Sequence, residues 1–428
     1  MSDRPESAPG SKLRLALVVD FLFFPTNHTG ANRFNCLVRE LSQRHDVSVF
    51  ATNESHPHLS ARELQTLASR EFAIPAERFV YLRRGRLDRH RLIARFFQEL
   101  HYAARFLRLL HRHGPFDVVL VTTPPLLQLY VFSLLRFTER RAQLVIDVRD
   151  LIWNYFEYRR GPVFRVSNVL FRFMARWSLR RFNMAICTTS MQVDEIRALL
   201  PDQPVHLLRN GIEGSRFAQL AALAKPPAGQ PLRVTYLGTV GYPQNLSTFI
   251  EAARLCAADP TTRGVEFVLA GDGSEWAALH KTVETQHLGN VRFLDKLDWD
   301  ACLERVYGPA NVLYAQLRGH PAFNSALPTK LFEYLASGRP IIYGGLDGES
   351  SRLLRAFSGV QIVPPDDPQR LYEAIKGFAL SPRVNGFEAN REILGSQFLR
   401  EKLSAEYVRL LEEVARRQDR HSEAAAAI

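Results

Sequence analysis

Two series of short, β-branched apolar runs alternate with helical patterns along this chain, and that alternation leaves few folds open. The first series is Leu13–Asp20, Asp46–Thr52, Asp117–Thr123, Gln143–Val148, Met184–Thr189 and Val205–Leu208. The second is Arg233–Leu237, Val265–Ala270, Val291–Leu294, Val312–Ala315, Pro340–Tyr343 and Val360–Val363. Runs this short and this apolar suit strands buried on both faces, as in parallel sheets. The helical patterns between them supply the crossovers that parallel strands need. Repeated twice, the pattern predicts an α/β protein of two doubly wound, Rossmann-like domains. At 428 residues the chain is long enough for two cores.

The stretch from Pro328 to Gly345 reads as a loop, a short helix, a glycine turn and a buried strand. Lys330 and Glu333 lie three residues apart, on one face near the helix start. A lysine there suits a phosphate, because free N–H groups and the helix dipole already favour an anion. A carboxylate one turn later suits two sugar hydroxyls. Phosphate and sugar together suggest a nucleotide-sugar. The plain alternative is a solvated Lys–Glu pair.

Three further segments, in order, set that stretch in context. They are Leu208-Arg209-Asn210-Gly211-Ile212-Glu213, Leu237-Gly238-Thr239-Val240-Gly241 and Val268-Leu269-Ala270-Gly271-Asp272-Gly273-Ser274-Glu275. With Pro328-Thr329-Lys330-Leu331-Phe332-Glu333, the set resembles glycosyltransferase family 4 of the GT-B fold. The likeness is strongest to its bacterial lipopolysaccharide and capsule branch, the L-fucosamine-transferase-like enzymes. It implies two domains facing a cleft and a C-terminal helix crossing back to the first. The expected layout is a disordered tail at 1–12, an acceptor-side domain at 13–208, a nucleotide-sugar-binding domain at 209–395, a return helix at 396–418 and a frayed tail at 419–428. The return helix carries Leu399, Leu403, Tyr407, Leu410, Leu411 and Val414 on one face.

The resemblance implies a donor site built from Lys330, Glu333, Leu331, Gly238, Thr239, Gly241, Gln244, Asn210, Gly271, Asp272 and Gly273. Lys330, with backbone N–H groups at Gly238–Gly241, would hold the diphosphate, and Glu333 the ribose. Family members often carry Arg and Lys where this chain has Thr239 and Gln244, and a first glutamate where it has Ser325. The loop after the first strand, with Asn27, Gly30 and Ala31, resembles the family's glycine-rich cleft loop. Ile146-Asp147-Val148-Arg149-Asp150 resembles the branch's "E-V-R-D" strand end. It makes Asp150 the candidate for acceptor contact or proton transfer, and Arg149 for phosphate binding. An ion pair between the two is the structural alternative. Thr123, before Pro124-Pro125, would shape the acceptor side.

The implied activity is transfer of a sugar from a nucleotide-sugar to a lipid-linked or polysaccharide acceptor in bacterial cell-surface glycan synthesis, with retention as the family's habit. A degenerate partner subunit and a nucleotide-sugar epimerase are the alternatives. No cofactor beyond the donor is expected. No D-x-D follows a strand in the pattern of metal-dependent GT-A enzymes, Asp298 and Asp300 reading as turn residues, and neither an H-E-x-x-H pattern nor a P-loop is present.

The formal net charge is +11, which points to an anionic partner. Two stretches concentrate it. Arg83–His113 holds nine arginines and four histidines among Leu, Phe and Tyr, and Arg159–Phe182 holds seven arginines among Phe164, Phe171, Phe173, Met174 and Trp177. Aromatic residues at helical spacing suit an anionic bilayer face. Solvated helix faces are the alternative. No helix-turn-helix, zinc-finger, RRM or KH pattern supports nucleic acid. Without an apolar run of bilayer-spanning length or a signal peptide, the expectation is a cytoplasmic protein, peripheral on the inner membrane face. Cys36, Cys187, Cys256 and Cys302 are scattered like buried residues of a reducing compartment.

Overall fold

The computed structural model describes residues 12–19, 33–53, 56, 58–83, 92–139, 141–154, 161–226, 229–381 and 388–426. The cleft-loop residues Asn27, Gly30 and Ala31 lie outside this set, as do the N-terminal tail to residue 11 and the basic residues at 84–91 and 159–160. The described residues form two compact units, one from 12–19, those from 33 to 209 and those from 401 onwards, the other from 210 to 400.

The first unit holds seven strands: β1 (Arg14–Val18), β2 (Asp46–Thr52), β3 (Phe79–Leu82), β4 (Val118–Thr123), β5 (Gln143–Val148), β6 (Met184–Cys187) and β7 (Val205–Leu207). Their order is β3-β2-β1-β4-β5-β6-β7, and every pairing is parallel. The alternation of side chains fills two layers. Val119 and Val121 of β4 face one core with Leu144, Ile146 and Val148 of β5, closed by Phe106, Phe132 and Leu179. Val118 and Leu120 face the other, with Leu37, Leu41 and the C-terminal helix residues Tyr407, Val408, Leu411 and Val414. Each fully buried side chain of this size contributes about 1.5–3 kcal/mol.

The second unit holds six strands: β8 (Arg233–Thr239), β9 (Glu266–Asp272), β10 (Val291–Leu294), β11 (Val312–Gln316), β12 (Ile341–Gly344) and β13 (Val360–Val363). They run parallel in the order β10-β9-β8-β11-β12-β13. The strand order reverses between β1 and β4 in one unit and between β8 and β11 in the other. In open α/β sheets ligands bind at the carboxyl ends of the strands flanking such a point.

The α/β expectation holds, with three local differences. Phe79–Leu82 forms an additional edge strand, four residues long and directly followed by Arg83. Strand β8 extends two residues past Leu237, because Gly238 and Thr239 pair with Gly271 and Asp272 of β9. The last helix, Arg400–Ala426, continues through the segment expected to fray from 419, in keeping with the high helix propensity of its alanines. All four cysteines are buried thiols.

Candidate functional site

Lys330 is the first residue of the helix Lys330–Ser337, and its side chain folds onto the end of β8. Its Nζ donates to the Tyr236 hydroxyl at 2.7 Å and lies 4.0 Å from the centre of that ring. The Tyr236 hydroxyl in turn donates to the Thr239 carbonyl at 2.5 Å. The same helix is stitched to β8 by Tyr334, whose hydroxyl accepts from Leu237 N at 2.9 Å and donates to Leu237 O at 3.3 Å. Lys330 keeps some contact with solvent, yet the packing around it removes enough water to pull its ammonium pKa down to about 7, against the opposing pull of Glu333.

Gly238 and Gly271 make this corner possible. Both have positive φ, +133° and +137°. A methyl group on Gly238 would stand 2.6 Å from Lys330 Nζ, and one on Gly271 would stand 2.0 Å from the Gly238 carbonyl oxygen. The turns after β8 and β9 therefore run main chain against main chain. Val240 N donates to Asp272 O at 2.8 Å. That bond corrects the expectation for Gly238–Gly241: the Val240 N–H is already engaged with β9 and is not an anion donor.

Gln244 closes the turn through its own N–H to Gly241 O at 3.0 Å, and its buried Oε1 has no partner among the described residues. Arg318, directly after β11, donates from Nε to Tyr242 O at 3.0 Å and lies 4.1 Å from the Tyr242 ring centre. It brings a cation to the loop where Thr239 and Gln244 bring none. Sequence reasoning passed over it. The available signal was a charged residue at the end of a buried strand.

Glu333 is enclosed more than a free ribose ligand would be. Its Oε1 lies 3.3 Å from Arg216 NH1, and its Oε2 accepts from the Tyr307 hydroxyl at 2.8 Å. Arg216 is buried, 3.4 Å from Glu213 and stacked 4.4 Å from the Trp299 ring centre. Each Glu333 oxygen retains acceptor capacity, but the residue also neutralises a buried arginine. Leu331 turns its side chain the other way. That side chain is fully buried among Tyr307, Phe332 and Leu335 and packs the core. Asn210 opens the second unit beside Gly211, whose carbonyl accepts from Arg400 Nε at 2.8 Å.

In the first unit, Arg149 and Asp150 follow β5. Arg149 N donates to Thr123 O at 3.0 Å and its NH2 to Pro124 O at 3.2 Å, while its guanidinium lies 5.6 Å from the Phe34 ring centre. The Arg149 carbonyl accepts from Gln192 Nε2 at 2.7 Å. Among the described residues no ion pair closes between Arg149 and Asp150. Among the described residues the buried Arg149 Nε and Thr123 hydroxyl have no partner. Asp150 touches solvent, while the protein crowded around it raises its carboxyl pKa and Arg149 opposes the rise.

Asp147, two residues before Arg149, fixes this strand end. Its Oδ2 accepts from Arg33 Nε at 3.2 Å, Arg33 NH2 at 3.0 Å and the Tyr407 hydroxyl at 2.7 Å. Arg33 NH1 also holds the carbonyls of Leu208 and Arg209, each at 3.0 Å. Removing one partner of a buried ion pair leaves the other charge uncompensated. Asp147→Ala should therefore lower stability by about 3–5 kcal/mol, read as a reduced denaturation midpoint. Tyr407→Phe should cost roughly 1.5–3 kcal/mol, the range for one hydrogen bond to a charged group. Equal midpoints for wild type and Asp147→Ala would refute this assignment.

Comparison with known proteins follows the same division. Residues 29–211 match the family model described as glycosyl transferase 4-like domain, and residues 231–379 that of glycosyl transferases group 1. No curated protein matches the chain by sequence. Among solved structures, sucrose-phosphate synthase from Thermosynechococcus elongatus is similar at a TM-score of 0.71 and 16% identity, over 94% of this chain and 99% of that one. The α,α-trehalose 6-phosphate synthase of Burkholderia multivorans gives 0.66 and 13%, over 96% and 98%. Anabaena HepE, in complex with UDP and glucose, gives 0.64 and 14%, over 94% and 99%. At these identities the likeness establishes a shared fold.

Proposed function

This chain belongs, through both of its halves, to the group 1 glycosyltransferases of the GT-B fold, and from that premise we propose that it moves a sugar from a nucleotide-sugar to a lipid-linked or polysaccharide acceptor in bacterial cell-surface glycan synthesis. The observation that carries the reading is the ammonium of Lys330, held at a helix N-terminus against the glycine-lined end of β8. A diphosphate there meets a cation, a helix dipole and a backbone with no side chain in the way. Arg318 supplies a second cation at the same loop. Glu333 accepts from the ribose hydroxyls, and the Gly271–Gly273 turn lies near the base.

In the reaction the bond from the anomeric carbon to the diphosphate oxygen breaks, and a bond to the acceptor oxygen forms. The acceptor gives up its proton. Lys330 and the helix N-terminus stabilise the charge growing on the diphosphate, the task a metal ion performs in other transferases, so the proposed mechanism is metal-independent. Asp150 orients the acceptor hydroxyl or takes its proton, and Arg149 holds an acceptor phosphate. Retention of configuration belongs to this proposal. So does a cytoplasmic location on the inner membrane face, where a lipid-linked acceptor is found. HepE was solved with UDP and glucose, which makes UDP-sugars the first donors to try.

Incubation with radiolabelled nucleotide-sugars and a bacterial membrane extract tests the reading. The expected result is label in the lipid or polymer fraction together with free nucleoside diphosphate. Label that stays on every donor would favour a partner subunit. Label that appears in an epimer without any acceptor would favour an epimerase.

A further inference from the structure

The helix Pro162–Leu179 wears its apolar residues on the outside. Val166, Val169 and Phe173 are 69%, 70% and 68% exposed, and Leu170 and Trp177 are exposed as well. Their spacing of three, four, seven and eleven residues from Val166 makes one continuous stripe. The opposite face is already satisfied: Ala175, Ser178 and Leu179 are buried, and Phe171 and Met174 pack on the core. A helix that needed the stripe only for folding would turn it inward.

The stripe extends to a neighbour. The Arg181 guanidinium lies 3.3 Å from the Trp177 ring centre and 5.2 Å from that of Phe137, itself exposed. Phe96, Phe97 and Leu100 are exposed on the helix Leu92–His113. Both helices pack on the helix Leu126–Ser133. An exposed apolar stripe such as that from Val166 to Trp177 marks an interaction site.

Charge selects the partner. The helix Pro162–Leu179 contains no aspartate or glutamate, and carries Arg165 and Arg176, with Arg180 and Arg181 just beyond, while its Arg172 pairs with Glu195 at 2.9 Å. A second copy of this chain meeting the face symmetrically would set arginine against arginine with no acid from this helix to compensate. A leaflet containing anionic lipid complements it: apolar side chains enter the acyl boundary and the arginines reach up to phosphates. No described helix is long and apolar enough to cross a membrane, so the contact lies in the plane of the interface.

We infer that the helix Pro162–Leu179 is an in-plane membrane anchor that inserts Val166, Val169, Leu170 and Phe173 below the headgroups of an anionic leaflet. This deepens the proposed location on the membrane face and rests on it for the source of the acceptor. The surface itself stands on exposure and charge.

Co-sedimentation with vesicles tests it, comparing phosphatidylcholine alone with phosphatidylcholine plus phosphatidylglycerol. Wild type should bind the mixed vesicles and only weakly the neutral ones. The double change Val169→Ser with Phe173→Ser, at exposed positions that the fold does not use, should reduce partitioning roughly a hundredfold or more. Arg176→Gln with Arg180→Gln should reduce it roughly tenfold or more, and high salt should lower wild-type binding toward the same level. UDP affinity in both variants should match wild type, which separates the anchor from the donor site. Unchanged partitioning of the Val169/Phe173 variant would overturn the inference, as would self-association in solution that this variant abolishes. Vesicle binding as predicted, with no donor ever turned over, would uphold the anchor and remove the sugar-transfer reading.

Discussion

Asp150→Asn is expected to cut turnover by roughly 10²–10⁴-fold, the range for loss of a positioned acid–base group, while leaving nucleoside diphosphate affinity at the wild-type value. The reason lies in the division of the molecule. Asp150 follows β5 in the first unit, whereas the proposed diphosphate site belongs wholly to the second. The substitution keeps size and removes only the charge. Although Asp150 is exposed, the protein crowded around it raises its carboxyl pKa and Arg149 opposes the rise. Activity should therefore fall as pH drops through a value above the ordinary aspartate range, because a protonated carboxyl no longer accepts the acceptor's proton. Asparagine should abolish that acid limb. A lowered melting temperature with unchanged turnover would instead make Asp150 a structural residue.

Local signals made most of the scaffold legible. Strands such as Gln143–Val148 and Val360–Val363 are apolar runs bounded by turns, and a run of that kind declares itself within its own length. Phe79–Leu82 did not, because four residues leading into arginines look like the start of the basic stretch. Its strand character comes from pairing with Val49–Thr52. The extension of β8 through Gly238 and Thr239 likewise depends on β9, a partner that glycine propensity gives no hint of.

The candidate site was legible only where it is local. Lys330 at the start of its helix follows from the motif, but its landing on Tyr236 and Gly238 is a contact across more than ninety positions. Glu333 shows the limit. Its motif speaks for a sugar ligand, while the fold brings Arg216 from 117 residues away to pair with it. Tyr407 reaches Asp147 over 260 residues. Leu331 shares the motif with Lys330, yet its direction on the helix sends it into the core. A motif marks the element, and side-chain direction then divides its residues between ligand and packing.

Lys330→Met should weaken nucleoside diphosphate binding by roughly 10–100-fold, equivalent to the 1.5–3 kcal/mol of a hydrogen bond to a charged group, and should lower turnover further as charge grows on the leaving diphosphate. Methionine keeps the length and apolar stem of lysine, so the Tyr236 contact survives in part. The pH dependence is distinctive. In the free protein the ammonium pKa is about 7, so above that value the lysine is mostly neutral, and binding an anion must draw a proton back onto it. Affinity should fall by up to tenfold per pH unit above about 7 until the pKa of the complex is reached. Folding stability runs the other way. Between about 7 and the ordinary lysine value of 10.5 the unfolded chain holds the proton and the folded chain does not, so stability rises with pH there.

Calorimetric titration of the full chain with UDP and GDP from roughly pH 7 to 9, above the phosphate's own pKa of about 6, tests the central claim most directly. The account predicts proton uptake on binding and affinity that weakens with rising pH in wild type, with both effects absent in Lys330→Met. Binding that is independent of pH, or equally tight in wild type and Lys330→Met, would contradict it.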